Sequence, residues 1–399
     1  MNIMLVAGEA SGDLHGAALC KALRERAPAA RLYGMGGARM AAAGMEVLED
    51  LTARAGVGTT EAAAGVLPLY RAYRRLRARF SGPERPHALV LIDFPEFNLR
   101  LARAARRHRI PVVYFIPPQI WAWRGWRVHA MRRLLSLVLA VFPFEPPLYR
   151  RAGVPVAYVG HPLVDALANA PTRAAARARL GLAPDDVVLG LLPGSRHSEI
   201  ERALPVMRDA VAAITAQRRH TRVLLALAPT VDGTHVECVL ASAPAGGRTS
   251  RPPGGAGGLG GSPEPPKVQM SRATYDVMRA ADVVIATSGT VTLEAALLGT
   301  PMVVCYKVSR LTACMIRSLV RVPWMSLVNI VAGRAVVPEL FQDDATTEAL
   351  ADEAGRLLDD ASARDTQRAA FRELAGGLGE PGVGTRAAGL ILGAARRAS

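Results

Sequence analysis

A chain of 399 residues, half of them hydrophobic, can build two ordinary domains that each bury a core. The net charge is +15, and residues 1–160 hold 23 Lys and Arg against 11 Asp and Glu. No run of 18 or more uncharged apolar residues occurs, so no transmembrane helix is expected, and the opening MNIMLVAGEASGD lacks the basic start of a signal peptide. Compositional bias explains Arg over Lys, because only Lys21, Lys267 and Lys307 occur. It does not explain the crowding of charge into one segment, which points to an anionic partner: nucleic acid, a membrane surface or a phosphorylated substrate. Cys20, Cys238, Cys305 and Cys314 show neither paired nor metal-ligand spacing, and a reducing cytoplasm is the simplest setting.

Residues 2–7 read as a short apolar strand, followed by Gly8-Glu9-Ala10-Ser11-Gly12-Asp13 and a helix through Leu23. Strand, polar Gly turn and helix open a doubly wound α/β domain. The turn is not G-x-G-x-x-G, so a dinucleotide is not indicated. Glu9, Ser11 and Asp13 would face the crevice, although turn chemistry and helix capping account for any one of them. Residues 31–35 make a second strand. Residues 66–80 place Leu69, Tyr70, Tyr73, Leu76 and Phe80 at helical spacing among Arg71, Arg74, Arg75, Arg77 and Arg79. Such a basic amphipathic helix suits an anionic lipid surface, and equally a solvated helix packed on a core.

Residues 88–92 form a buried strand that ends in Asp93-Phe94-Pro95-Glu96-Phe97-Asn98. A carboxylate at the carboxyl end of a central strand sits where open α/β sheets place their chemistry, which makes Asp93 the best general-base candidate and Glu96 a weaker one. Asn98 fits a helix cap equally well. Residues 112–116 and 135–142 read as strands, and between them Trp121, Trp123 and Trp126 form an aromatic loop. Gly160-His161-Pro162-Leu163 reads as a linker, with the first domain spanning 1–163. Residues 173–180 form a small helix.

A second α/β series, expected over 164–345, starts at residues 187–192 and turns at Gly194-Ser195-Arg196, where an arginine can pair with a phosphate. Residues 241–266 contain eight Gly and six Pro and read as a low-complexity insert. Residues 268–270 and 275–280 are assigned to the second sheet, together with ADVVIATSGTVTLEAALLGTPMVVCY from Ala281 to Tyr306. In that last stretch Ser288-Gly289-Thr290 starts a helix just past a strand end, which aims free N–H groups and a positive dipole at the crevice. Glu294, in the same helix, is within reach of a ribose hydroxyl. Residues 326–334 and 337–342, with Asn329 among them, read as a polar loop and a turn of helix. Residues 346–399 read as two or three C-terminal helices.

Two Rossmann-like doubly wound domains facing a cleft would hold a nucleoside diphosphate in the second domain and Asp93 in the first. No D-x-D, Walker A or H-E-x-x-H occurs. Residues 3–16, 92–99 (IDFPEFNL), 117–124 (PPQIWAWR), 159–163 (VGHPL), 191–199 (LLPGSRHSE), 286–295 (ATSGTVTLEA) and 326–342 resemble the lipid-A-disaccharide synthase family, in the family's order along nearly the whole chain.

The resemblance implies an inverting, metal-independent glycosyltransferase of the GT-B type, without cofactor or nucleic-acid partner. It would join UDP-2,3-diacylglucosamine to 2,3-diacylglucosamine 1-phosphate through a β(1→6) bond and release UDP. It implies Asp93 as base, and Gly194, Ser195, Arg196, Ser288, Gly289, Thr290, Glu294 and Asn329 on the UDP donor. Glu9, Ser11, Glu61 and Asn98 fall on the acceptor side. Peripheral association with the inner face of the inner membrane and a homodimer are further implications. Phe94, Glu96, Val328 and the segment 57–61 depart from the family's usual residues, mostly on the acceptor and membrane side. A UDP-N-acetylglucosamine 2-epimerase, another lipid-directed transferase of the same fold and a non-catalytic lipid- or nucleotide-binding protein are the alternatives.

Overall fold

A computed structural model of the chain describes residues 1–52, 62–120, 127–229, 231–242, 267–319 and 322–397. Glu61, the tryptophan loop at 121–126 and residues 243–266 of the Gly/Pro-rich stretch lie outside the described residues. The chain divides into two compact units. One comprises Met1–Ala168 and Gly376–Ser399 with the short piece Leu319–Arg321; the other comprises Asn169–Ser318 and Val322–Ala375.

The first unit runs β1 (Asn2–Ala7), α1 (Ala10–Arg26), β2 (Arg31–Met35), α2 (Ala38–Ala42), β3 (Glu46–Glu49), α3 (Ala62–Ala78), β4 (Ala88–Ile92), α4 (Pro95–Arg107), β5 (Val112–Phe115), α5 (Arg127–Leu134), β6 (Leu137–Ala140), α6 (Glu145–Arg151), β7 (Val156–Tyr158) and α7 (Pro162–Leu167). Its parallel sheet has the order β3-β2-β1-β4-β5-β6-β7. The central strands read NIMLVA and ALVLI, apolar on both faces because helices cover both faces. On one face Leu76 and Phe80 join Leu101, Tyr114 and Tyr149 in the core.

The second unit continues with α8 (Arg173–Arg179), β8 (Val187–Leu192), α9 (His197–Gln217), β9 (Thr221–Ala226), α10 (Gly233–Ala241), β10 (Val268–Ser271), α11 (Thr274–Ala280), β11 (Val283–Thr287), α12 (Thr290–Leu297), β12 (Met302–Tyr306), α13 (Arg310–Leu319), α14 (Leu327–Ala332), β13 (Glu339–Phe341), α15 (Thr347–Asp359) and α16 (Ala361–Gly377). Its parallel sheet has the order β10-β9-β8-β11-β12-β13. The last helix, α17 (Val383–Arg396), belongs to the first unit and packs on α1. Asp165 fastens its start by accepting from the N–H groups of Gly382 (2.6 Å) and Gly384 (3.1 Å).

Two parallel doubly wound sheets are the architecture expected from the alternating pattern. Three local expectations are corrected. Residues 275–280 lie in α11, not in the sheet. Residues 337–342 contain β13, whose Glu339 pairs with Val304 across the edge of the sheet; a three-residue strand led by Pro and Glu carries no local strand pattern. Gly160–Leu163 is more than a linker, because His161 caps α7 by accepting from Leu163 N–H at 3.2 Å.

Candidate active site

In the first sheet the strand order reverses beside β1, which lies between β2 and β4. Ligands of open α/β sheets bind at such switch points, beyond the carboxyl ends of the strands. Ala7 of β1 is in register with Ile92 of β4, so Glu9 and Ser11 leave one strand end beside the strand end that delivers Asp93. Glu9 is the residue before α1, with no side-chain cap bond, and Ser11 is exposed. Asp13 holds structure instead. It is buried and accepts from the N–H groups of Gly37 (2.8 Å), Arg39 (3.1 Å) and Met40 (3.1 Å) at the start of α2.

The turn after β4 is strained. Asp93 and Phe94 both take left-handed backbone conformations, φ 48° and 49°. Two successive non-glycine residues there cost about 1–3 kcal/mol each, and such strain concentrates at functional sites. The Asp93 carbonyl oxygen holds the turn by accepting from the Asn98 amide (2.6 Å) and from the Tyr114 hydroxyl (2.6 Å). Asn98 lies inside α4, not at its cap; it is fully buried, and it also donates to the carbonyl of Ile92 at 3.2 Å. Its Oδ1 has no hydrogen-bond partner among the described residues. The Phe94 ring stacks on Phe97, centroids 5.6 Å apart, and leans over Gly8, where an added Cβ would come within 2.4 Å of it. Gly8 thus permits the close approach of the two strand-end turns. Glu96 is exposed in the first turn of α4.

The second sheet repeats this plan. Its order reverses beside β8, which lies between β9 and β11. The loop Gly194-Ser195-Arg196 follows β8, and Ser288-Gly289-Thr290 follows β11, whose Ala286 is in register with Leu192. Arg196 precedes α9 with its side chain about 60% exposed. Glu199 folds back over this loop. Its Oε2 accepts from Ser195 N–H (3.0 Å) and Arg196 N–H (3.3 Å), and its Oε1 lies 3.4 Å from the Arg196 guanidinium.

Gly289 precedes α12 at φ 154°, a conformation that favours glycine, and its α-carbon faces open space. The helix start carries no side-chain cap. Ser288 points elsewhere and donates to the carbonyl of Met325 at 2.7 Å. That contact belongs to a network centred on Glu339. Its carboxylate accepts from Met325 N–H (2.7 Å), from the Ser326 hydroxyl (2.6 Å) and from the Asn329 amide (2.7 Å). Asn329 also donates to Val337 and accepts from the N–H groups of Val336 (2.7 Å) and Val337 (2.9 Å). Its amide is therefore saturated within the protein, and it shapes the loop from 325 to 337.

Glu294 sits differently. It is partly buried in α12, and among the described residues its carboxyl has no hydrogen bond or ion pair. Desolvation pushes its pKa up to about 7. A partly buried carboxyl without a partner among the described residues is ready to accept hydroxyl groups of a ligand. A separate cavity of about 340 Å³, lined by Arg173, Arg279, Arg368 and Arg372, opens by Ala281 and Thr300 at the amino ends of β11 and β12, away from these loops.

Sequence pattern identifies the strand-end residues but misses those that hold them. Tyr114, Glu199 and Glu339 work through register and tertiary contacts; Glu199 and Glu339 fall within the motifs 191–199 and 326–342, and Tyr114 carries no local signal.

Comparison with known proteins agrees with the resemblance drawn from the motifs. The profile of the lipid-A-disaccharide synthetase family matches residues 3–243 and 265–380, passing over most of the Gly/Pro-rich stretch. The lipid-A-disaccharide synthase of Geobacter sulfurreducens is 43% identical over 391 residues, covering 98% of this chain and 96% of its own. That of Myxococcus xanthus is 40% identical over 390 residues, with 98% and 96% covered. Among solved structures, UDP-GlcNAc 2-epimerase from Neisseria meningitidis bound to UDP-GlcNAc superposes with a TM-score of 0.65 at 11% identity, covering 98% of this chain and 100% of its own. A calicheamicin glycosyltransferase gives 0.57 at 14%, with 99% and 98% covered. At such identities these structures establish the shared GT-B-like fold and nothing about substrate. The family match and the relatives' identity over nearly their whole length place this chain in the lipid-A-disaccharide synthase family, glycosyltransferases that condense lipid precursors in lipid A biosynthesis.

Proposed function

We propose that the chain transfers the diacylglucosamine unit of UDP-2,3-diacylglucosamine to the 6-hydroxyl of 2,3-diacylglucosamine 1-phosphate. Asp93 takes the hydroxyl proton as the oxygen attacks the donor's anomeric carbon on the face opposite UDP. The bond from that carbon to the diphosphate breaks, and its electron pair leaves with UDP. One attack on the opposite face gives the β(1→6) product with inversion. The observation that carries this reading is the turn at Asp93: a carboxylate at a switch point, in strained backbone, clamped by Asn98 and Tyr114.

On the donor side, the Arg196 guanidinium and the amino end of α12 from Ser288 to Thr290 stabilise charge developing on the diphosphate, and Glu294 accepts from the ribose hydroxyls. Gly194 and Ser195 set the loop, and Asn329 contributes through the loop it holds. On the acceptor side lie Glu9, Ser11 and Glu61, with Asn98 as the residue that positions Asp93. The proposed domains are 1–163 on the acceptor and membrane side and 164–345 on the donor side, with the C-terminal helices of 346–399 divided between the two compact units at residue 375. No helix among the described residues is long and apolar enough to cross a membrane. Peripheral attachment to the cytoplasmic face of the inner membrane through α3 is part of the proposal, as is a homodimer. In support, Leu67 and Tyr70 of α3 are more than half exposed, beside exposed Arg71, Arg74 and Arg77.

The test is to incubate purified protein with both substrates and follow disaccharide and UDP. Asp93→Ala should keep UDP affinity and lose turnover by several orders of magnitude. Unchanged turnover would remove Asp93 as the base, and no product from the parent chain would remove the substrate assignment.

A further inference from the structure

α9 begins with His197, and Glu201 follows four residues later on the same helix face. His235 comes from the first turn of α10. The two imidazole rings lie stacked, centroids 3.6 Å and planes 21° apart, and His197 Nε2 is 3.9 Å from Glu201 Oε1. One ligating atom from each of the three residues falls within 4.8 Å of the others. His235 Nε2 is shut off from solvent and has no hydrogen-bond partner among the described residues. A buried ring nitrogen without a partner is costly, and it is fixed where the two exposed side chains converge.

We propose that His197, Glu201 and His235 bind a divalent ion of the zinc class. Two imidazole nitrogens and one carboxylate suit Zn²⁺, Co²⁺ or Ni²⁺, whereas Mg²⁺ and Ca²⁺ prefer oxygen-only shells. Metal–ligand bonds of about 2.0–2.2 Å put the donor atoms of a tetrahedral site roughly 3.3–3.6 Å apart. Closing from 4.8 Å asks only for side-chain rotation, and the side chains of His197 and Glu201 are 53% and 54% exposed. Three protein ligands leave the fourth position to water.

The site has a consequence for its neighbourhood. His197 directly follows Arg196, so the ion would tie the loop after β8 to α10 and fix where the guanidinium stands. It takes no part in the transfer chemistry, and the site stands whether or not the proposed substrates are correct.

The experiment uses the full chain, freed of metal and carrying Cys238→Ser and Cys314→Ser, because both thiols are exposed and would themselves bind metal. Co²⁺ is titrated by calorimetry and visible absorption. The expected result is one ion per chain with ligand-field bands, displaced by Zn²⁺ and indifferent to Mg²⁺. His235→Ala and Glu201→Gln should each weaken binding at least about tenfold, with unchanged circular dichroism. His197→Ala, at an exposed position, gives the same readout if His235→Ala does not fold. Co²⁺ affinity unchanged in the histidine variants, or no saturable binding by the parent chain, overturns the proposal.

Discussion

Tyr114 donates its phenol hydrogen to the carbonyl oxygen of Asp93 at 2.6 Å, from the neighbouring strand. The bond fixes a backbone turn that neither Asp93 nor Phe94 favours. Tyr114→Phe keeps the packing and removes the bond. It should cost about 1 kcal/mol of stability and lower turnover roughly tenfold, with UDP affinity unchanged. Steady-state kinetics beside UDP calorimetry check this; unchanged turnover with weakened UDP binding would contradict it.

Glu294 supplies a pH prediction. Its carboxyl titrates near 7 in the folded chain, against 4.5 for the unperturbed group. In the proposed donor site ribose hydroxyls would donate to the ionised form, so UDP affinity should rise as pH increases through about 7, and Glu294→Gln should flatten that profile. The folded state binds the extra proton between these two values, so stability contributed by this group falls as pH rises from about 4.5 to about 7. Glu294→Gln should therefore gain on the order of 3 kcal/mol relative to the parent at pH 8, and little at pH 4. Denaturant melts at the two pH values measure the difference.

His15 and His161 act in the opposite direction. Their rings meet edge to face at 6.4 Å inside the first unit. Burial pushes their pKa values down to about 4 and about 3, with His15 adding to the shift at His161. The unfolded chain takes up protons from about pH 6.5 downward and the folded chain does not, so stability falls as pH drops from about 6.5 towards 4. His15→Gln should remove about one proton from the slope of unfolding free energy against pH in that window. An unchanged slope would show that other groups govern acid unfolding.

The outer face of α3 gives a prediction for membranes. Arg75 is paired with Glu49 at 3.0 Å, but Arg71, Arg74 and Arg77 are exposed without such a partner among the described residues. Replacing those three with Gln should weaken binding to anionic vesicles by up to about 1 kcal/mol per charge and reduce its salt dependence. Turnover on short-chain substrates in solution should stay the same. Vesicle binding that survives the substitutions would assign attachment to another surface.

The central strands and the residues at their ends were readable because they depend on short-range pattern. An apolar run of five or six residues that stops at Gly, Pro, Ser or Asp declares a buried strand and its carboxyl end, and this holds for β1, β4, β8 and β11. What was not readable depends on register and on distant partners. Tyr114 reaches Asp93 only because β5 pairs with β4 so that Leu91 faces it. The family resemblance implies Asn329 as a donor contact, and its side chain is wholly engaged within the protein. Three of its four side-chain hydrogen bonds go to the backbone of Val336 and Val337, and the fourth to Glu339, which β13 brings alongside. The return of α17 to α1 joins residues far apart in sequence that no local signal connects.

The fold of Glu199 over the loop after β8 bears on turnover. With its carboxylate on the amides of Ser195 and Arg196, the loop already carries an anion of its own. On the proposed donor reading, an incoming diphosphate would gain the difference between two anions on those amides, not the full value of bare donors. A departing one would leave no unsatisfied N–H groups behind if the carboxylate returned to the position it holds here. Such internal competition lowers the penalty for release, a useful property where the product nucleotide must leave before each new cycle.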